Sequence, residues 1–431
     1  MGEVIRTRMN GSKPGAVRPL QARSGLIAAL DVGTSKIACI IGRMESGGLR
    51  VLGSALHESH GIRSGAVTQL DLADQSIRQA VDAAEQLADH RIQEVILAVQ
   101  CGQPKSLHAR VERAVGGVLL DDGHLSEVLA EGKLHCREPG YEAIQAAATG
   151  YIVDSVRGVA DPRGMFCEKL GVAVQAVAVR SGPLKNLRIA VKGCHLGIAR
   201  ELYSGYASAL ATLTHDEMAL GVTLVDMGAG CTSVAIFKEN ALVHVDSVPL
   251  GGAHVTSDLA VMLSAPLAAA ERIKTLYGSA LAVMDSSSDT IEVPLMGEEG
   301  ERGARRVKRS LVTRIIQDRM EEIFGELQSS LKKDGFDVAA GRRAVLTGGA
   351  SQLPGVSELA SRVMQKQVRL GRPQTFPGLA AATAGPAYAT ALGLLIAGAH
   401  TPAEAQDPNP RMEKKPERRG LVRWLAPSLF G

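Results

Sequence analysis

Hydrophobic positions along the chain change period in a repeated order. Residues 26–58 alternate in short apolar runs, Leu26 to Leu30, Ile37 to Ile41 and Leu49 to Leu52, with a hairpin turn at Gly47-Gly48. This predicts a three-strand meander. Residues 222–250 show the same pattern: Val222 to Val225, Val234 to Phe237, a turn at Glu239-Asn240, then Leu242 to Val248. Two such meanders form an internal repeat. Between them the period lengthens. Ile77, Ala80, Val81, Ala84 and Leu87 recur at helical spacing and predict an amphipathic helix from Asp71 to His90. A strand is expected at Glu94 to Val99. Residues 103–181 read as an insert, with a strand over Leu107 to Val111, an acidic helix start at Asp121-Asp122 before Leu125 to Ala130, and a loop at Asp161-Pro162. Helices are expected at Gly182 to Ala190 and Gly205 to Leu213. In the second half helices are expected at Ala253 to Leu263, Leu267 to Tyr277, Leu311 to Leu331 and Ala389 to Ala397. A hairpin falls around Ile291 to Met296, and a short strand at Ala344 to Leu346.

The repeat carries chemistry at its turns. The first meander contains Asp31-Val32-Gly33-Thr34-Ser35-Lys36 and the second Asp226-Met227-Gly228-Ala229-Gly230-Cys231. Small-residue turns after strands let backbone N–H groups approach a phosphate. Thr34 and Ser35 add hydroxyls and Lys36 a cation. Asp31 and Asp226 repel phosphate, and their natural role is to hold Mg²⁺ through water. A third turn, Gly348-Gly349-Ala350, follows the short strand and offers backbone against a flat base. Together the three turns predict a nucleotide clamp.

Composition narrows the partners. The chain has 431 residues, 45% apolar, 22% charged and only 3% aromatic, with net charge +3. That length predicts several units. The charge is small and no basic stretch interleaves with aromatics, so nucleic acid is not expected. The six cysteines form no C-x-x-C pair and read as reduced thiols. The run Ala387 to Ala399 is too short for a membrane span.

The order of the three turns is similar to the two phosphate motifs and the adenosine motif of the actin, Hsp70 and sugar-kinase superfamily. Ser257-Asp258-Leu259-Ala260 after Gly251-Gly252, Leu346 to Leu353, and Ala389 to Gly398 resemble more narrowly the bacterial cell-division family FtsA. The likeness spans roughly residues 26–400. It implies an α/β fold of two ribonuclease-H-like halves around a nucleotide cleft. The implied divisions are subdomain 1A (24–102 and 182–214), an inserted 1C (103–181), 2A (215–250 and 311–400) and 2B (251–310), after a basic N-terminal tail (1–23). It implies that Gly33, Thr34, Ser35 and Lys36 hold the β- and γ-phosphates of ATP. Asp31 and Asp226 would organise Mg²⁺. Gly228, Ala229, Gly230 and Cys231 would form the second phosphate loop, and Gly348, Gly349 and Ala350 would contact adenosine. Ala229 stands where the family usually has Gly, and Cys231 where Thr is common. Gln317 lies on the helix where a relative has a Glu facing the nucleotide. These departures favour nucleotide holding over turnover.

Residues 401–417 are rich in proline and charge, a linker of about 20–25 Å r.m.s. reach. Beyond it Leu421, Val422, Leu425 and Leu429 share one helical face, with Trp424, Phe430 and Arg423 beside them. This is the pattern of an interfacial anchor for anionic lipid, shortened by Pro427. The resemblance implies self-association into filaments, attachment to the inner face of the bacterial membrane at the septum, recruitment of later division proteins, and binding of the C-terminal peptide of the ring protein FtsZ near Arg309. The alternative on the same superfamily is a sugar kinase, for which no carboxylate base or substrate loop is evident.

Overall fold

The computed structural model describes residues 25–281, 289–297, 304–333, 335–336 and 341–399. The first half opens with β1 (Leu26–Val32), β2 (Lys36–Glu45) and β3 (Gly48–Glu58), a meander with a small ribbon behind it, β4 (Ile62–Arg63) and β5 (Ala66–Val67). Helix α1 (Leu70–Ala88) and strand β6 (Glu94–Val99) follow. The inserted unit comprises β7 (Lys105–Leu119), α2 (Asp122–His135), β8 (Tyr141–Val153), β9 (Val156–Val159) and β10 (Phe166–Arg180). The chain returns through α3 (Ser181–Gly193), β11 (Gly197–Tyr203) and α4 (Ser204–Thr212).

The second half begins after α5 (His215–Leu220) with β12 (Val222–Met227), β13 (Thr232–Lys238) and β14 (Ala241–Val248). Then come α6 (Gly252–Leu263), α7 (Leu267–Tyr277), the hairpin β15 (Thr290–Pro294) and β16 (Ala304–Lys308), and the long α8 (Arg309–Lys333). It closes with β17 (Arg343–Thr347), α9 (Val356–Met364), β18 (Gln367–Leu370) and α10 (Ala389–Ala399).

The two large sheets share one topology. Their strand orders are β3-β2-β1-β6-β11 and β14-β13-β12-β17-β18. In each, an antiparallel meander is extended by two parallel strands. The equivalence is residue for residue at the key strand: Asp31 pairs with Ala38, and Asp226 with Ser233. Both central strands are covered on both faces, which is why they read as unbroken apolar runs rather than alternating ones. Helices α4 and α10 pack together between the halves, and their residues are almost all buried. Alanine and glycine dominate there, so the two backbones come close, with Tyr206 as the one aromatic side chain on either helix.

The insert has its own sheet, order β7-β10-β8-β9, with α2 against it and a separate core around Val128, Leu170 and Val172. Asp121 caps α2: its carboxylate accepts from the His124 backbone N–H at 3.0 Å. The insert's edge strand β7 lies against β14, the edge strand of the second large sheet. Each edge thereby covers the other.

Helix α1 differs from expectation at one residue. Ile77, Ala80, Val81 and Ala84 are buried, but Leu87 is 64% exposed and Ala88 takes the place facing the sheet. At 100° per residue Leu87 sits about 70° from the centre of the buried stripe, at its edge and in the last turn of the helix, where its side chain is left to solvent. Among the described residues no single helix is long and apolar enough to cross a membrane. The linker, the apolar tail from Leu421 to Phe430 and the basic N-terminal stretch lie outside the described residues.

Candidate functional site

The C-terminal ends of β1 and β12 point at each other across a cleft, because both halves orient their central strand the same way toward it. The turn after each strand is closed by an equivalent bond. The Gly33 N–H donates to the Lys36 carbonyl at 3.0 Å, and the Gly228 N–H to the Cys231 carbonyl at 3.0 Å. The third turn follows β17, next to β12. Gly348 there has φ +87°, and a side chain at that position would collide with the Asp226 carboxylate and Met227 backbone. Only glycine fits both constraints. Gly230 is pressed onto Thr34, so the equivalent turns of the opposite halves touch. The Thr34 hydroxyl in turn accepts from the Gly65 N–H at 3.0 Å.

Together the turns enclose a cavity of about 440 Å³. Asp31, Gly33, Thr34, Ser35 and Lys36 line one side, Asp226, Gly228, Ala229 and Gly230 another, and Gly348, Gly349 and Ala350 a third. Cys231 is the exception. It is buried, does not line the cavity, and its thiol donates to Gln100 Oε1 at 3.4 Å. Burial pushes that thiol up to about 12, so it is neither an anion nor a hydroxyl substitute in the cleft. Gln317 also lies elsewhere: its amide donates to Glu321 Oε1 at 2.9 Å and does not reach the cavity.

Electrostatics concentrate on three groups. Burial, then the neighbouring Asp226 charge, raises the Asp31 carboxyl to about 7, with Lys36 opposing. Asp226 is also raised by burial, but its Oδ2 accepts from Ser208 Oγ at 2.5 Å and Thr390 Oγ1 at 3.0 Å, which favour its charged form. Burial lowers the Lys36 ammonium, and both carboxylates push it back up. The amine donates to the Ala387 carbonyl at 2.5 Å and stands 4.8 Å from the centre of the Tyr388 ring.

Several cavity residues had no motif to announce them. Gln100, at the end of β6, donates to the Val32 carbonyl at 3.1 Å. Glu271, Lys274 and Thr275 line the cavity from α7. Lys274 donates to Gly252 O, Thr256 Oγ1 and Glu271 Oε2 at 3.0, 2.8 and 2.7 Å. Their spacing of three and four residues is a polar stripe on one helical face, a signal the sequence did contain. Ser208 and Thr390 are hydroxyls within Ala-rich helices, which is a second such signal. Arg309 does not line the cavity. It opens α8, its guanidinium donating to the Tyr277 carbonyl at 3.1 Å, beside Arg305, Arg306 and Lys308 of β16.

Chemically, the cleft brings together small-residue turns, hydroxyls, a cation and two facing carboxylates. These are groups that suit a phosphorylated ligand with a divalent ion.

Comparison with known proteins places the chain. The FtsA family profile, "Cell division protein FtsA", matches residues 223–393, and that of the "SHS2 domain inserted in FTSA" matches residues 101–178. The cell division protein FtsA of Rhizobium meliloti is 38% identical over 88% of this chain and 89% of its own length. That of Neisseria meningitidis is 33% identical over 94% and 99%, and that of Escherichia coli 30% over 88% and 92%. Among solved structures, the PilM-PilN type IV pilus biogenesis complex superposes with TM-score 0.60 at 17% identity, covering 87% of this chain and 98% of the other. MreB5 of Spiroplasma citri bound to AMPPNP superposes with TM-score 0.53 at 11% identity, covering 87% and 96%. The fold is therefore actin-like with an SHS2 insertion, and the chain belongs to the FtsA family of cell division proteins.

Proposed function

We propose that this chain binds ATP with Mg²⁺ in the cleft, polymerises on the inner face of the cytoplasmic membrane, and anchors the FtsZ ring there, recruiting later division proteins. The convergence of all three small-residue turns on one cavity carries the nucleotide part of this reading. The residues fit the ligand. Gly33, Gly228 and Gly230 line the cavity and let its turns close tightly on their neighbours, so that backbone rather than side chain faces a phosphate; Thr34 and Ser35 supply hydroxyls, and Lys36 supplies charge. Asp31 and Asp226 are the oxygen donors for Mg²⁺ through its water shell. The ion would neutralise the phosphates, and the two carboxylates that repel each other here would gain a counter-charge. Gly348, Gly349 and Ala350 would lie against adenosine, with the α7 polar stripe at the sugar end.

The remaining parts rest on family membership and surface chemistry. The basic strand β16 pairs with β15 and leads into Arg309, which is bonded to the Tyr277 carbonyl at the end of α7; Leu276 on α7, Met296 after β15 and Leu311 on α8 are exposed on these same elements. Cations next to apolar side chains suit an acidic, partly apolar peptide such as the FtsZ C-terminus, with Arg309 among the contacts. Exposed Leu119 and Phe166 on the insert and Met262 and Leu267 on α6 and α7 form two different surfaces. Pairing unlike surfaces of two copies gives an open, head-to-tail filament. The Leu421–Phe430 tail would hold the polymer to anionic lipid, each nearby Arg adding about 1 kcal/mol. Membership of a cell-division family disfavours the sugar-kinase alternative.

The test is sedimentation of the full chain with phosphatidylglycerol-containing vesicles and ATP·Mg²⁺, with electron microscopy of the pellet. Membrane-bound filaments are expected. Removing residues 418–431 should abolish sedimentation, and Arg309→Glu should weaken FtsZ-peptide binding. A full chain that neither binds ATP nor pellets with vesicles overturns the reading.

A further inference from the structure

Lys36 belongs to the first half, yet its hydrogen-bond partner is the turn that opens α10, the last described helix. The Ala387 carbonyl accepts from its ammonium, the Tyr388 ring lies against it, and both Lys36 and Ala387 line the cavity. The same turn is tied to the third loop: the Pro386 carbonyl accepts from the Gly348 N–H at 3.2 Å. One turn further on, Thr390 holds Asp226. From there α10 runs between the halves, with Gly393 seated directly on the Ala207 carbonyl, and its far end is bonded by Arg200 to the Ala397 carbonyl at 3.0 Å.

We propose that Lys36 is shared between the cavity's ligand and the α10 turn, with Tyr388 as the positioning residue that keeps the cation on the cavity wall. The inference rests on the nucleotide reading above. An ammonium has three donors, and Ala387 takes one. The others remain for a phosphate oxygen, so ligand and turn hold the same cation together. Coupling of this kind is reciprocal: the ligand tightens the turn and the turn tightens the ligand. Burial of the amine makes the carbonyl and the ring face necessary companions of its charge. Cavity occupancy is thereby read by α10, the last described helix.

Hydrogen exchange on the full chain tests this, following peptides that cover residues 385–392 with and without saturating ATP·Mg²⁺. Without ligand, Lys36→Met should speed exchange there several-fold over wild type. In wild type, ATP should slow exchange at this turn; in Lys36→Met, raised to saturating ATP, it should not. Tyr388→Leu should weaken ATP binding by about two- to fivefold, and Tyr388→Phe, which keeps the ring, should restore it. Equal exchange in ligand-free wild type and Lys36→Met overturns the proposal, as does ATP protection that persists in Lys36→Met. If wild type binds no ATP, the nucleotide reading fails instead, and the ligand-free comparison still decides whether Lys36 anchors the turn.

Discussion

Asp31 is an acid held where its charge is disfavoured. Its carboxyl is raised from the ordinary 3.8 to about 7 by burial and by Asp226. The folded state therefore keeps a proton that the unfolded chain releases. The sign follows: the penalty is absent below pH 4, grows as pH rises toward 7, and is complete above it. At 1.36 kcal/mol per pH unit the upper bound is about 4 kcal/mol, and cleft water reduces it. In metal- and nucleotide-free protein, Asp31→Asn should raise the melting temperature far more at pH 8 than at pH 4.5. A parallel rise at both pH values would assign the effect to packing rather than charge. The motif located this aspartate in the sequence; its titration depends on Asp226 and Lys36 meeting it across the cleft. Cys231 makes the same point from the other side. It holds the repeat position of Lys36, 195 residues on, but turns to Gln100 instead of the cavity. No spacing rule distinguishes those two directions. Its departure from the family pattern consequently removes no donor from the cavity, and of the two altered positions only Ala229 lines it.

At the level of elements, what could be read depended on how much local pattern each carried. The two meanders were legible because apolar runs and turn residues coincide: Glu239 and Asn240 both have positive φ, 54° and 62°, as a tight two-residue hairpin requires. Helix α2 was legible from its acidic start, and its cap is present. Strands β7, β8 and β10 were harder to read, since 13- to 15-residue strands bent by bulges do not hold a clean alternation. The far side of the cavity was hidden because α7 looks like any small amphipathic helix. Helix α1 offers a direct test of face assignment. Ile77 is fully buried and Leu87 is 64% exposed. Ile77→Ala should cost about 2–4 kcal/mol, seen as a clear fall in melting temperature. Leu87→Ala should change stability by less than about 0.5 kcal/mol. Comparable losses at both sites would contradict this assignment of buried and exposed faces.

For the whole molecule, the insert does more than decorate the first half, because it touches both. Toward the first half, Gln145 Oε1 accepts from the Tyr203 N–H at 2.9 Å. Toward the second, Ser106 Oγ accepts from the Val245 N–H at 2.8 Å, and His108 Nε2 donates to the Val243 carbonyl at 3.0 Å. Phe336, just past α8, stacks on His108 and His244 with ring centres 6.1 and 4.1 Å away. Tyr203 adds a direct strap between halves, its hydroxyl donating to the Asp246 carbonyl at 2.7 Å. A rotation of one half against the other must therefore stretch β14 from β7 or bend the insert. The His108 and Ser106 bonds join residues 135 and 139 positions apart, so nothing local in the sequence foretold them. If the insert acts as this clip, Ser106→Ala with His108→Ala should free the β14 edge and leave the sheet centre intact. Hydrogen exchange should then rise at least severalfold over residues 241–248 and stay unchanged over 222–227. A rise in both strands would mean that the second sheet itself had loosened, and no rise in either would mean that β14 is held by β13 alone.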